Sequence, residues 1–142
     1  MTLRLKQVNI VAPDVDASAA FYRLLGVEVG ESGGGYESHH RSVEGQPLDM
    51  DIDSLAFARS YWADEGIPAG VLLTFGTETR EEVDALYERA VAAGHTSLKP
   101  PFDAFWGSRY AIVLSPGGEA VGFMSPRDEV YRSTEPDPAT FR

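Results

Sequence analysis

The stretch Gln7-Val8-Asn9-Ile10-Val11-Ala12-Pro13-Asp14-Val15-Asp16-Ala17-Ser18 decides how the rest of the chain is read. Its first six residues are a short, mostly apolar, β-prone run, and Pro13-Asp14 ends it. Asp14 or Asp16 then stands where a carboxylate accepts the unpaired amide hydrogens of a first helical turn. Ala19, Ala20, Tyr22, Arg23 and Leu24 favour that helix, and Phe21, Leu24 and Leu25 give it an apolar face. Gly26 closes it as a C-terminal glycine. A strand leads straight into a capped helix.

Outward from this unit, residues 27–29 start a second strand and Gly33-Gly34-Gly35 makes a turn. Residues 36–43 read as a third strand and, after the turn Glu44-Gly45-Gln46-Pro47, residues 48–53 as a fourth. Residues 54–68 hold Ala56, Phe57, Tyr61 and Trp62 and then Asp64-Glu65-Gly66, a short helical turn and a linker whose aromatics need a buried surface.

The pattern then restarts. Val71-Leu72-Leu73-Thr74-Phe75 is an apolar β run, and Thr79 with Glu82 three residues on spells a capping box. Val83, Leu86, Tyr87 and Ala90 recur at helical spacing before Gly94. Strands follow at 96–99, 109–114 and 119–124, the last two joined by Ser115-Pro116-Gly117-Gly118. Each half is β-α-β-β-β, so the fold class is α+β.

The 142 residues fit one domain with a real core, and 43% apolar residues with 14 Gly and 9 Pro is a globular composition. The absence of cysteine excludes disulfides, thiolate metal sites and a Cys nucleophile. A net charge of −10 repels phosphate backbones and no basic stripe overcomes it, so no nucleic-acid partner is expected. Met1-Thr2-Leu3-Arg4-Leu5-Lys6 runs into a strand without a signal-peptide apolar region, and no run is long enough to span a bilayer. The expectation is a cytoplasmic protein without a membrane partner.

Three segments carry a family resemblance. They are Asp14-Val15-Asp16-Ala17-Ser18 followed by Phe21-Tyr22-Arg23-Leu24-Leu25-Gly26, then Phe105-Trp106-Gly107-Ser108-Arg109-Tyr110-Ala111, then Ser115-Pro116-Gly117-Gly118-Glu119. In this order, over the doubled pattern, residues 5–126 resemble the glyoxalase / bleomycin-resistance / extradiol-dioxygenase superfamily, the vicinal oxygen chelate family. The third motif departs from the family's spelling by carrying Ser115 for an Asp. The resemblance implies two βαβββ modules, about residues 1–60 and 69–126, forming a curved mixed sheet around a cup-shaped cleft. It also implies a homodimer; residues 127–142, with their prolines and charges, read by composition as a C-terminal surface extension.

Enzymes of that family hold a divalent metal with His, Gln and Glu ligands from four strands, whereas drug-binding members enclose an antibiotic without metal. The resemblance puts the first ligand at Gln7, whose amide oxygen is compatible, and another near Gly70 or Val71, neither of which has a metal-binding side chain. It puts the last at Gly122, in place of a Glu. Asp49, Asp51 and Asp53 alternate at strand period and share a face, so one of them could supply a carboxylate. Two expected ligands are missing, which leads to the expectation of no metal and no cofactor.

His39 and His40, adjacent on a strand, would point to opposite faces, and one facing an Asp would make a His/Asp pair or simply pack at the sheet surface. His95 after Gly94 reads as a surface or C-cap histidine. No serine lies in a nucleophile-elbow context, and the glycine run lacks the lysine of a phosphate loop. Phe102, Phe105, Trp106 and Tyr110 crowd together beside Asp103 and Arg109, as flat walls for a planar ligand or as core filling. Arg109 would hold a carboxylate or stack on a ring, unless it faces a helix and pairs with an acid.

The expected ligand-binding residues are Gln7, His40, Phe105, Trp106, Arg109, Tyr110 and Met124, with catalytic residues left open. The expected function is metal-free binding of a small aromatic or hydrophobic molecule or antibiotic. The alternative is a metal-dependent glyoxalase- or dioxygenase-type enzyme with a non-standard ligand set.

Overall fold

The computed structural model describes residues 3–31, 33–62 and 70–140. Among them are seven strands and three α-helices, an α+β fold with parallel and antiparallel pairings, as the element pattern predicts. The chain divides into two units, residues 7–71 with 136–142 and residues 1–6 with 72–135. The linker expected at Asp64-Glu65-Gly66 lies outside the described residues.

The first unit takes β1 (Arg4–Ala12) from Gln7 onward, then α1 (Val15–Leu24), β2 (His40–Val43), β3 (Asp49–Ser54) and α2 (Leu55–Arg59). β3 lies between β1, to which it runs parallel, and β2, to which it is antiparallel. Asp14 is the cap of α1, its Oδ1 accepting the Ala17 amide at 3.0 Å. Behind the sheet, Ala12, Val15, Ala19, Val29, Val43 and Ile52 form a buried cluster joined by Ile10, Tyr22 and Met50. Burial of one such branched side chain stabilises by roughly 1.5–3 kcal/mol.

Three local expectations change. The buried stripe of α1 starts at Val15 and continues through Ala19 and Tyr22, the i, i+4, i+7 positions of a helix face. Phe21, Leu24 and Leu25, expected to supply that face, are 55%, 83% and 63% exposed. Residues 27–29 form only a single bridge, Val29 to Val43, rather than a strand. The run is short, and the Arg23 guanidinium takes the Val29 and Gly30 carbonyls at 2.9 and 3.0 Å. Residues 35–39 wind into a 3-10 turn, entered at Gly35 with φ 63° and tied by the Ser38 hydroxyl to the Gly35 carbonyl at 3.0 Å. Such local side-chain bonds compete with strand formation.

The second unit contains β4 (Gly70–Gly76) from Leu72, α3 (Arg80–Ala92), β5 (Ser97–Asp103), β6 (Arg109–Leu114) and β7 (Ala120–Met124). Its strand order is β4-β7-β6-β5, with β4 and β7 parallel and the other pairs antiparallel. Thr79 caps α3 as expected, accepting the Glu82 amide at 3.3 Å, while the Glu82 carboxylate accepts the Glu78 amide at 3.2 Å. Val83 from α3 packs with Ala111, Val113 and Phe123 behind the sheet. β5 runs through Pro100-Pro101, beyond its expected end, because it pairs with β6 alone and its register shifts where the prolines cannot donate.

Residues 128–135 are exposed and are tied to the second unit by backbone hydrogen bonds. The Asp128 amide donates to the Gly107 carbonyl at 3.1 Å and the Ser133 amide to the Phe105 carbonyl at 3.0 Å. The Arg80 guanidinium covers the Tyr131 ring at 3.6 Å. At Gly107, with φ 99°, an added Cβ would meet the Asp128 carbonyl oxygen at 2.6 Å, so only glycine fits this crossing.

Candidate functional site

Strand alternation sorts each unit's residues between a face packed on its long helix and a face turned away from it. In the first unit the register sets Gln7 opposite Asp49, Asn9 opposite Asp51, and both Val11 and His40 opposite Asp53. The face turned away from α1 therefore carries Gln7, Asn9, three aspartates and His40. These polar groups form a chain. Gln7 Nε2 donates to Asn9 Oδ1 at 2.7 Å, and Asn9 Nδ2 donates to Asp53 Oδ2 at 2.9 Å.

Asp53 is the hub. It is 1% exposed, and it accepts the Tyr61 hydroxyl at 2.7 Å and His40 Nδ1 at 2.6 Å besides Asn9. A carboxylate this deep persists only when its oxygens are met by donors, and three meet this one. His40 stacks on Phe57, with ring centroids 5.7 Å apart, and its Nε2 lies 3.9 Å from Asp51 Oδ1. His39 does turn elsewhere: its Nδ1 is 2.9 Å from Ser54 Oγ, beside a groove of about 530 Å³ that Asp14, Asp16, Ser38 and Arg59 also line. On the α1 side, buried Arg41 reaches Asp16 at 2.8 Å.

The second unit builds its corresponding face from rings. Tyr110 is 1% exposed, stacks on Phe102 at 5.9 Å and meets Trp106 edge-on at 5.8 Å. Phe105 in turn packs edge-on against Trp106 at 5.1 Å. The Tyr110 hydroxyl bonds to Thr74 Oγ1 at 2.7 Å across β7, and the ring lies over Gly122 between them. A Cβ at Gly122 would come within 2.6 Å of Tyr110 Cε1 and 2.9 Å of Thr74 Oγ1. Glycine is required here by the ring above it.

Of the residues expected to bind ligand, Phe105, Trp106 and Tyr110 are in mutual contact, and Met124 pairs with Tyr110 in register. Arg109 is not with them. It points to the helix side, where Nε and Nη2 donate to the two Asp84 oxygens at 2.9 and 3.1 Å and Nη1 to Asp103 at 3.2 Å. The Asp84 hydrogen bond, partly opposed by burial, holds its guanidinium above the ordinary arginine range. Arg109 thus joins β6 to α3 and β5, the alternative that strand alternation had left open. Arg80 adds to the same cluster, binding Asp103 and donating to the Gly107 carbonyl at 3.0 Å.

A family model described as Glyoxalase/Bleomycin resistance protein/Dioxygenase superfamily matches residues 4–123. The chain belongs to that superfamily.

Solved structures of similar fold include a glyoxalase/bleomycin resistance protein/dioxygenase superfamily member from Vibrio splendidus 12B01, 16% identical over 88% of this chain and 100% of that one, with TM-score 0.57. A methylmalonyl-CoA epimerase in complex with methylmalonyl-CoA is 22% identical over 94% and 100% of the two chains, with TM-score 0.55. The Mn(II)-bound glyoxalase from Novosphingobium aromaticivorans is 20% identical over 87% of this chain and 38% of that one, with TM-score 0.52. Identities this low show the fold alone. No curated protein matches the chain. No described helix is long and apolar enough to cross a membrane.

The superfamily's metal ligand set does not fit the donors at these positions. The last ligand place, Gly122, lies under the Tyr110 ring, and Thr74, its register partner on β4, is engaged with the Tyr110 hydroxyl. Asp53 spends its oxygens on Asn9, Tyr61 and His40. Among the described residues, no three His, Asp or Glu side chains are grouped to hold an ion.

Asn9 and the role of Tyr61 were not read from the sequence. Asn9 sits two residues after Gln7 on the same strand face, and that spacing was the available signal.

Proposed function

We propose that this superfamily member binds a small aromatic or hydrophobic molecule, antibiotics included, without a metal ion. The observation that carries the reading is Gly122 beneath Tyr110: an aromatic ring, locked by Thr74, occupies the space a ligating glutamate would need. Glycine at that place supplies no donor to a metal, and the half-buried rings of Phe102, Phe105 and Trp106 packed around buried Tyr110 are of the kind that hold planar molecules. The packing of Phe102, Phe105 and Trp106 around Tyr110 supports the same reading. The net charge of −10 fits a small-molecule partner better than a polyanionic one.

Fluorescence of Trp106 and Trp62, titrated with planar compounds of graded size, tests the proposal. Saturable quenching by a subset of them is expected. No response from any compound, or a stoichiometric metal that survives dialysis of natively purified protein, would overturn it.

A further inference from the structure

The strands of the second unit put almost no charge on the face turned away from α3. Ala111 and Val113 pack with Val83 of α3, so Tyr110 and Ile112, which alternate with them on β6, take the other side. β5 continues that side, with Phe102 opposite Tyr110 and Lys99 opposite Ile112. By register, β7 and β4 add only apolar, glycine and threonine positions, Gly122 and Thr74 among them. Among the described strand residues on this face, Lys99 alone is charged.

That charge stands at the margin of the rings. Lys99 is half-buried, and its ammonium lies 5.1 Å from the centroid of Phe102, which stacks on Tyr110. Asp103, the acid of the same strand, stands opposite Arg109 and is bonded by Arg109 and Arg80 instead. No described carboxylate pairs with the Lys99 ammonium. A ring contact holds a partly exposed ammonium weakly, and the flexible stem lets an anion draw it off. A lysine on a strand paired on one side only can also serve to block pairing with other chains. Pro100 and Pro101 already remove two donors from this strand, which leaves the lysine beside the rings to be explained.

We propose that Lys99 binds the anionic group of the planar ligand, so that the aromatic face of the second unit selects aromatic carboxylates over neutral rings of the same shape. The ligand's ring lies against the half-buried rings and its oxygens meet the ammonium in a charge-assisted hydrogen bond. The net charge of −10 does not prevent this, because salt screens exposed charges beyond about 8 Å while the Lys99 contact is direct. The proposal rests on the aromatic-ligand reading above and names the charge that such a ligand carries.

The test compares 2-naphthoate with 2-naphthamide, which keeps the shape and lacks the charge, by calorimetric titration of the wild-type protein and of Lys99→Gln. Wild type should bind the naphthoate about tenfold more tightly, the worth of one hydrogen bond between charged groups. In Lys99→Gln the two affinities should converge to within about twofold, since that contact is all that separates them. A wild type that does not prefer the naphthoate, or a gap that persists in Lys99→Gln, overturns this proposal and leaves aromatic binding standing. Binding of neither compound overturns both readings. Should Lys99→Gln fail to fold, wild-type protein decides by NMR, because the chain has only two lysines, Lys6 and Lys99. Reductive 13C-dimethylation keeps the lysine charge and makes Lys99 visible, with Lys6→Arg assigning its signal. Movement of that signal with naphthoate but not with naphthamide supports the proposal, and an equal response to both, or none, overturns it.

Discussion

The two units repeat a helix-backed sheet and treat the opposite face in opposed ways. The first unit fills it with Gln7, Asn9, Asp51, Asp53 and His40, and the second fills it with Phe102, Trp106, Tyr110 and Met124. The polar face depends on donors meeting acceptors, so its stability is concentrated in one carboxylate. The aromatic face depends on space, so its stability is concentrated in one glycine. Substitutions at Asp53 and Gly122 should therefore be costly for different reasons.

The largest effect is expected at Asp53. Asp53→Leu leaves the Asn9 amide, the Tyr61 hydroxyl and His40 Nδ1 without their acceptor, and should cost ~3–5 kcal/mol in urea unfolding at neutral pH. A loss below ~1 kcal/mol would mean that the network does not hold the first unit together.

Gly122→Ala should cost ~1–3 kcal/mol by driving a methyl group into the Tyr110 ring. Combining it with Tyr110→Ala should cost less than the sum of the two single losses, because the ring that causes the clash is gone. Strict additivity in that cycle would separate Gly122 from Tyr110 and weaken the account of the aromatic face.

Arg109→Lys sharpens the contrast between the two faces of the second unit. Lysine cannot reproduce the forked contact with Asp84, but the pair is partly exposed, so the loss should stay under ~1 kcal/mol. Affinity for a planar ligand should be unchanged, because Arg109 lies on the helix side. A fall in affinity with unchanged stability would return Arg109 to the binding surface.

These results would also mark what the sequence carried. The order of elements was legible because its signals are local: Asp14 and Thr79 as caps, Gly26 and Gly94 as helix ends, and the apolar run before each helix. The side of α1 that is buried was not, because Phe21, Leu24 and Leu25 outrank Ala19 in hydrophobicity while the register favours Val15, Ala19 and Tyr22. Gln7 and Gly122 were placed through the family resemblance, and the crowding of Phe102, Phe105, Trp106 and Tyr110 through their density in the sequence. The Asn9–Asp53 bond joins residues 44 apart in the chain, and only the parallel register of β1 and β3 brings them together. The Tyr110 ring over Gly122 likewise needs the β6–β7 register, so the sequence named the glycine without the ring that lies above it.

The smallest effect is a titration. The Ser115 hydroxyl donates to Glu119 at 2.7 Å and holds that carboxyl below its ordinary range. A carboxyl lowered on folding stabilises above its unfolded pKa, and that contribution fades as pH falls through the folded value. Ser115→Ala should move the Glu119 titration upward, as followed by carboxyl carbon chemical shifts, and leave both faces undisturbed. No movement would contradict the hydroxyl as the main cause.

The central claim is that the Tyr110 ring has taken the place of a metal ligand. Its most direct measurement is the affinity for a planar compound that quenches tryptophan fluorescence, read before and after exhaustive chelation. The account predicts the same dissociation constant in both states and no change on adding Mn2+. Binding lost on chelation and restored by the ion would contradict it.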